Sequence, residues 1–340
     1  MALSPDSMWI IILFLLGAII GSFLNVVIWR MPRSQNLSLP PSHCPYCNTA
    51  IPFCWNIPLV SFLLLRAKCK WCQKPISWRY FGVELLTAVL FALIGWKFGV
   101  TYQAAAYSLL TAAMIAAFFI DLELFIIPDQ LNTFGLIVGI LADAIGTYTH
   151  NPAHALLWGW MPRSILGAMA CAGVFFMIQA LGLALFRKEA MGDGDVKLAR
   201  AIGAVLPIGL AMLSFFFAVC AGAVIGIGIA IFVKKPAEEY IEDDSSEEIY
   251  EGPGYPWWSS GAYILFLDLI ANALAKMKVP GAEKWHHFFS GEPELLDEAD
   301  DWKPGPTHIP FGPFMVMGAL ASMFFGEPFL RWYLYFVGLQ

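Results

Sequence analysis

The sequence is poor in charged residues. Only 14% of its 340 residues are Asp, Glu, Lys or Arg, whereas 59% are hydrophobic. Soluble domains carry about a quarter charged residues, so this composition excludes an ordinary soluble enzyme. The formal net charge is −6, and we expect no nucleic-acid partner for a chain without a basic excess.

The usual signatures of hydrolases and nucleotide-binding enzymes are missing as well. The chain contains no G-x-S-x-G, no H-E-x-x-H and no glycine-rich nucleotide fingerprint. Ser61 and Ser77 have no histidine at a useful spacing, so neither is a candidate nucleophile. Serine-hydrolase and zinc-protease chemistry are therefore excluded.

What the chain does contain is long apolar runs. The first, residues 8–29, is long enough to cross a bilayer, which takes about 20 residues. No Lys or Arg precedes it and no A-x-A-like site follows, which favours a retained helix over a signal peptide. The pattern predicts an all-α polytopic membrane protein, a bundle of about eight transmembrane helices. The further predicted spans are 80–98, 101–120, 131–148, 164–186, two pieces of 198–233 divided at Pro207, and 314–329.

The positive charges predict the orientation of these spans. Residues 30–79 contain seven Lys and Arg and residues 187–200 contain four, whereas the opposite loops contain only Lys97 and Arg163. Because Lys and Arg accumulate on the cytoplasmic side, the N-terminus is expected outside and residues 31–79 in the cytoplasm. Asp121 and Asp195 are then both expected at the cytoplasmic face.

Four cysteines form the strongest metal signal in the chain. The pairs Cys44-Pro45-Tyr46-Cys47 and Cys69-Lys70-Trp71-Cys72 are separated by 21 residues. Four thiolates at such a spacing favour a closed, structural Zn²⁺ site. A pair of disulfides is the competing interpretation, and a reducing cytoplasm argues against it. Cys54, Cys171 and Cys220 are expected to be core thiols without a ligand role.

One acidic stretch lies between two long apolar segments, Met191-Gly192-Asp193-Gly194-Asp195-Val196-Lys197. A carboxylate at the edge of a bilayer is costly and is therefore a functional candidate. Gly192 and Gly194 remove side chains beside Asp195 and would let another backbone approach. The alternative is an ordinary polar turn in which Asp193 or Asp195 caps a helix.

A partner for Asp195 is available in Asp121 or Asp129. Asp129 follows Pro128 and could simply cap the next helix, whereas Asp121 ends an apolar run and has no local capping use, which favours Asp121. Two aspartates at the membrane edge suggest aspartyl proteolysis. One ionised carboxylate takes a proton from water while its protonated neighbour polarises the peptide carbonyl.

In combination these motifs resemble the type IV prepilin peptidases, bacterial inner-membrane leader peptidases and N-methyltransferases. The resemblance extends from the first span to the last. Its matching segments are 21–27, the two cysteine pairs with 55–61 between them, 83–88, Ile120-Asp121 with Pro128-Asp129, 192–198 and 309–313.

The resemblance implies cleavage of type IV prepilins or pseudopilins by Asp121 and Asp195 at the cytoplasmic membrane face. It also implies methylation of the new N-terminus with S-adenosylmethionine as donor, and it links the cysteine segment to that second activity. The expected domain order is a first transmembrane helix (8–30), a cytoplasmic tetracysteine zinc module (31–79), a transmembrane aspartyl peptidase core (80–235), an acidic cytoplasmic insertion (236–308), and a final transmembrane helix with the C-terminus (309–340).

Two features depart from the family pattern. The acidic insertion is larger than the usual short connection, and Asp193 adds a third carboxylate beside Asp195. Two other functions stay open on the sequence: a peptidase without methyltransferase activity, and a non-enzymatic, zinc-bearing membrane scaffold or transporter. The sequence also leaves open whether the substrates are pilins or secretion pseudopilins.

Overall fold

A computed structural model describes residues 5–149, 161–186, 191–232 and 309–338. The predicted acidic insertion, 236–308, lies outside the described residues. The regular structure of the described part is helical. Its helices are α1 Pro5–Arg30, α2 Val60–Leu64, α3 Trp78–Phe98, α4 Tyr102–Leu124, α5 Asp129–Tyr148, α6 Arg163–Phe186, α7 Asp193–Val205, α8 Ile208–Phe232 and α9 Gly312–Phe336.

Seven of these helices in the described ranges are long and apolar enough to cross a membrane: α1, α3, α4, α5, α6, α8 and α9. The chain is therefore a multi-pass membrane protein. The expected division at Pro207 is confirmed, since α7 ends at Val205 and α8 begins at Ile208. α7 accounts for the difference from eight spans, because 13 residues reach only about 20 Å at 1.5 Å per residue, short of the roughly 30 Å hydrocarbon core.

The centre of the bundle is α4. It contacts α1, α3, α5, α7 and α9. Of its 18-residue apolar stretch, 72% is buried inside the protein. Alanines at six buried positions keep this helix thin, which lets its neighbours approach closely. One apolar cluster joins α4 to α1, α3 and α5, and a second joins it to α6, α7, α8 and α9.

The short helix α7 is held inside the bundle by contacts between glycines. Gly167 of α6 faces Gly203 of α7 so closely that a Cβ added at either position would collide with the other's carbonyl oxygen. A Cβ at Gly203 would also lie 2.5 Å from the Cys171 sulfur. Nearly every residue of α7 after Asp195 is buried. The backbone contact between α6 and α7 therefore fixes the position at which the acidic stretch begins.

A lysine of α3 supplies the hydrogen bond that a proline removes from the backbone of α9. Pro328 has no N–H, so the carbonyl of Phe324 four residues earlier loses its helical donor. The Lys97 ammonium donates to this carbonyl and to that of Met323, at 3.0 Å for the latter. Lys97 thereby fixes the C-terminal half of α9. The first residue of the same helix, Gly312, lies beside Asp121.

The glycine contact predicts a position-specific loss of stability. Gly167→Leu should separate α6 from α7 and destabilise the protein by about 1–3 kcal/mol, because the added side chain meets backbone that cannot move aside. Gly173→Leu on the same helix is the control, since a Cβ there meets nothing within 4 Å. Thermal unfolding of the purified proteins in detergent measures the difference, and equal melting temperatures for the two variants would contradict it.

Candidate functional site

Asp121 faces the interior of the bundle rather than ending its helix. α4 continues to Leu124, where Phe125 adopts the left-handed conformation and its N–H donates to the Asp121 carbonyl at 2.9 Å. Asp121 is only 5% exposed, and its carboxylate lies against the backbone of Gly312, which forms a hydrogen bond with it. Burying a carboxylate is costly, so an aspartate at this depth needs a reason beyond helix packing.

The first residue of α9 covers the Asp121 carboxylate. A Cβ added at Gly312 would collide with Oδ2 and lie 3.1 Å from the carboxyl carbon of Asp121. The same Cβ would lie 3.0 Å from the side chain of Ile127. Glycine is thus the residue that lets the backbone of α9 reach the acid, and Gly312 lies in the segment 309–313 singled out by the resemblance.

Asp195 lies in the first turn of α7, which is not one of the seven candidate spans. Its N–H donates to the Gly192 carbonyl at 3.1 Å. Burial, with a further contribution from the charge of Asp121, raises the pKa of Asp195 to about 7. The structure therefore brings these two acids, 74 positions apart in the sequence, within electrostatic reach of each other.

The two glycines beside Asp195 differ in their surroundings. Gly192 is exposed, and a Cβ there would meet only the Asp195 carboxylate, at 3.8 Å. It leaves room for an approaching backbone, as expected. Gly194 instead packs against Ile127, which a Cβ would approach to 3.2 Å. Ile127 therefore lies between Gly194 and Gly312 and holds the starts of α7 and α9 together.

The other two acids of the site region are engaged elsewhere. Asp129 accepts two hydrogen bonds from the buried Lys197 ammonium, at 2.7 and 2.8 Å. Asp193 accepts a hydrogen bond from Gln179 of α6 at 3.1 Å. These contacts support Asp121 over Asp129 as the partner of Asp195, and they place Asp193 against α6. Lys197 was not identified from the sequence, since its partner lies 68 positions away.

The four paired cysteines come together as a potential metal site. Their sulfur atoms all lie within 4.8 Å of one another, with 3.8 Å between Cys44 and Cys72 and 4.0 Å between Cys47 and Cys69. Four ligands at the Zn–S length of about 2.3 Å form a tetrahedron with sulfurs about 3.8 Å apart. The donor set and its spacing thus fit a tetrahedral thiolate site.

The two halves of this site are the same turn repeated 25 positions apart in the sequence. Asn48 N–H donates to the Cys44 carbonyl and Gln73 N–H to the Cys69 carbonyl, and both donors are left-handed. Hydrogen bonds from Thr49 lower the pKa of Cys47 to about 6, whereas burial and the neighbouring cysteines outweigh a hydrogen bond with Lys74 and raise the pKa of Cys72 to about 11.

The remaining cysteines lie outside this cluster. Cys171 is buried, as expected, whereas Cys54 and Cys220 are exposed. The expectation that these two are core thiols is wrong, because Cys54 lies in a loop turn and Cys220 on an outward face of α8.

The cysteine segment is also bound to the membrane helices. The Arg30 guanidinium at the end of α1 donates to the carbonyls of Asn36 and Pro40 at 3.0 and 2.7 Å. Phe62 of α2 packs on Trp78 and Phe81 of α3, with ring centroids 5.0 and 5.3 Å away. The segment is therefore attached to both helices that flank it.

Comparisons with known proteins agree with this architecture. The model of the bacterial peptidase A24 N-terminal domain matches residues 15–98, and that of the type IV leader peptidase family matches residues 108–227. A prepilin leader peptidase/N-methyltransferase of Myxococcus xanthus is 32% identical over 93% of this chain and 90% of that relative. Proteins of the same name from Neisseria gonorrhoeae and Aeromonas hydrophila are 35% and 36% identical over 62% and 65% of this chain, and over 79% and 81% of their own lengths. No solved structure matches.

The raised pKa of Asp195 predicts a pH-dependent stability. Its pKa is about 7 in the folded protein and about 3.9 in an unfolded chain. The folded state therefore binds the proton more tightly, and stability should fall as the pH rises from about 4 through 7. Asp195→Asn cannot ionise, so its melting temperature should exceed that of the wild type more at about pH 8 than at about pH 5. Asp193→Asn controls for the loss of a nearby carboxylate, and an equal difference at both pH values would contradict the prediction.

Proposed function

The chain belongs to the type IV leader peptidase family, and we propose that Asp121 and Asp195 are the catalytic pair with which it removes the leader peptide of type IV prepilins or pseudopilins. As in the relatives' name, the enzyme is both a leader peptidase and an N-methyltransferase. The observation that supports the catalytic pair is the electrostatic contact of two acids from different helices, α4 and α7, at the edge of the bundle.

Peptide hydrolysis by this pair needs one proton shared between two carboxylates. Close like charges disfavour double ionisation, so one acid keeps its proton near neutral pH while the other is ionised. The ionised carboxylate accepts a proton from water as the water oxygen attacks the peptide carbonyl carbon. The protonated carboxyl donates a hydrogen bond to the carbonyl oxygen, where negative charge develops. Gly192 leaves the space through which an extended backbone could reach the pair.

We place this site at the cytoplasmic face of a bacterial inner membrane. Asp121 lies in the last turn of α4, at the same end of the bundle as the start of α3, since Glu123 forms an ion pair with Arg79. Arg79 closes the basic segment 30–79, which the positive-inside rule assigns to the cytoplasm. The leader and the cleavage site would therefore be met on the side where the substrate is synthesised.

The tetracysteine cluster is proposed to hold one structural Zn²⁺ through Cys44, Cys47, Cys69 and Cys72. Four protein ligands would leave the metal no open position for substrate, so its contribution is to fold the segment 31–79. Methylation is proposed to use S-adenosylmethionine, which supplies a methyl group on a sulfonium when bound. The residues that bind this donor carry no sequence fingerprint.

The catalytic pair predicts loss of cleavage without loss of fold. Asp121→Asn or Asp195→Asn should lower the rate of leader removal by at least about 10³-fold, because an amide of similar volume cannot serve as the ionised acid. Asp193→Asn is the matched control, since an asparagine oxygen can still accept the Gln179 hydrogen bond. Product mass from a candidate prepilin, assayed in membranes with equal enzyme levels, is the measurement. Full activity in either the Asp121→Asn or the Asp195→Asn variant would refute the assignment of the catalytic pair.

The zinc site predicts a separation of the two activities. Cys69→Ser with Cys72→Ser should remove the metal, about one Zn per chain in the wild type, and lower methylation more than cleavage. The reason is that Asp121 and Asp195 lie on α4 and α7 of the helical bundle, whereas the cysteine segment is folded by its metal. Cys54→Ser is the control, because Cys54 is exposed and outside the cluster.

Metal analysis and mass spectrometry of the pilin product read out both effects. Cleaved but unmethylated product should accumulate. Equal loss of both activities would show instead that the segment braces the helices around the dyad.

A further inference from the structure

A strained turn marks the place where the cysteine segment meets the membrane helices. Leu59 has φ 62° and ψ −48°, and the Val60 N–H donates back to the Pro58 carbonyl at 2.6 Å. This is the three-residue γ-turn with positive φ, a rare and strained conformation for a leucine. Such strain persists only where surrounding contacts enforce it, and it is concentrated at functional sites.

The contact that enforces this turn comes from Glu84 of α3. The Leu59 N–H donates to the Glu84 carboxylate at 2.7 Å, and the Ser22 hydroxyl of α1 forms a hydrogen bond with the same group. Gly21 lets α1 approach so closely that a Cβ there would lie 2.7 Å from the Glu84 Cα. Glu84 is partly exposed, and no basic side chain forms an ion pair with it within the described ranges.

One turn along α1 from Ser22, Asn25 adds an acceptor without a donor among the described residues. It is 4% exposed, and its Nδ2 donates to the carbonyls of Tyr80 and Gly21 at 3.1 and 3.3 Å. Tyr80 lies one turn before Glu84 on α3, and Asn25 lies one turn after Ser22 on α1. The Oδ1 atom of Asn25 has no partner in the described part of the chain. Across the described ranges, the Glu84 carboxylate has no positive charge paired with it, and the Asn25 amide oxygen has no hydrogen-bond donor. A cationic N–H group would supply both.

This group lies at the same membrane face and nearly the same depth as the proposed catalytic pair. The Arg79–Glu123 ion pair sets a common level for α3 and α4. Glu84 lies five residues after Arg79 along α3, and Asp121 lies two residues before Glu123 along α4. At 1.5 Å per residue, they are about 7.5 Å and about 3 Å from the level of the ion pair. Val83 and Ile120, the neighbours of the two acids, belong to one packed apolar cluster. A product cut at one site could therefore reach the other without crossing the membrane.

We propose that Glu84, with Ser22 and Asn25, binds the α-ammonium group of the cleaved product and that Glu84 takes its proton before methylation. This inference rests on the proposed methyltransferase function and locates its acceptor site. Hydrolysis of a peptide bond creates a new amino terminus, which is protonated at neutral pH and has no lone pair to donate. A carboxylate both attracts this cation and accepts its proton.

The reaction balances with these groups and a sulfonium methyl donor. The ammonium gives one proton to Glu84, and the freed lone pair of nitrogen forms the new N–C bond. The S–C bond breaks, and its electron pair stays on sulfur, which leaves as a neutral thioether. The methylated nitrogen regains a positive charge, and Glu84 releases its proton to solvent.

The first test measures binding in the absence of the methyl donor. A peptide that starts at the cleaved N-terminus is compared with the same peptide carrying an acetylated N-terminus, by their affinity for full-length protein in detergent. Wild type should bind the free amine about tenfold more tightly, the order expected for a hydrogen-bonded charge pair. Glu84→Gln should lose this preference. An unchanged preference in Glu84→Gln would overturn the proposal.

The second test measures methyl transfer to the free-amine peptide from labelled S-adenosylmethionine. Glu84→Gln should lower the rate by at least about 100-fold, while its amide oxygen can still accept the Leu59 hydrogen bond and keep the segment docked. Zinc content checks the docking, and Glu123→Gln is the control for loss of a carboxylate at the same face.

Two outcomes separate the alternatives. Equal losses of cleavage and methylation in Glu84→Gln would assign Glu84 a structural role and overturn the inference. A wild-type protein that does not methylate at all would refute the proposed methyltransferase function, whatever Glu84 does.

Discussion

Asp121 and Asp195 interact electrostatically, and two like charges on different helices stay close only where packing elsewhere holds those helices in place. Asp121 comes from a long central helix and Asp195 from a short one, so the repulsion acts between separate elements. Packing elsewhere has to resist it. The contact of Gly167 with Gly203 fixes α7 against α6, and the buried pair Lys197–Asp129 fixes α7 against α5. Lys197 is two residues after Asp195 in the sequence, and its ammonium pairs with Asp129.

The sequence predicts well those features that depend on residues close together in the chain. Apolar runs predict the seven membrane helices together with an eighth span that is the short helix α7, Pro207 predicts the break between α7 and α8, and the repeated cysteine spacing predicts the cluster of four thiols. The contacts between distant segments could not be predicted. Nothing near Ile127 indicates that it packs between Gly194 and Gly312, because that contact joins three segments that are far apart in the sequence. The partnership of Asp121 with Asp195 was accessible only through their common membrane face and the family resemblance.

The cysteine segment shows the same division between local and distant information. Its two turns are encoded by short motifs that repeat 25 positions apart, so the clustering of the four thiols can be recognised from their spacing alone. Its attachment to the membrane depends on Glu84, Arg30 and the aromatic group around Phe62, none of which belongs to a metal motif. The segment is thus more than a metal-stabilised loop tethered at its ends. Hydrogen bonds connect it directly to α1 and α3.

The surroundings of the acids suit them to different tasks, although all three are carboxylates. Asp195 lies within electrostatic reach of Asp121, an arrangement that favours one proton shared between the two acids, as the proposed hydrolysis requires. Glu84 accepts hydrogen bonds from the Leu59 N–H and the Ser22 hydroxyl, and the amide oxygen of Asn25, one turn along α1 from Ser22, has no partner among the described residues. Methylation needs an amine that exists only after cleavage, so the order of the two steps is set by chemistry. In the proposed scheme both acids lie at one membrane face beside one packed apolar cluster, so the product of the first step becomes the substrate of the second.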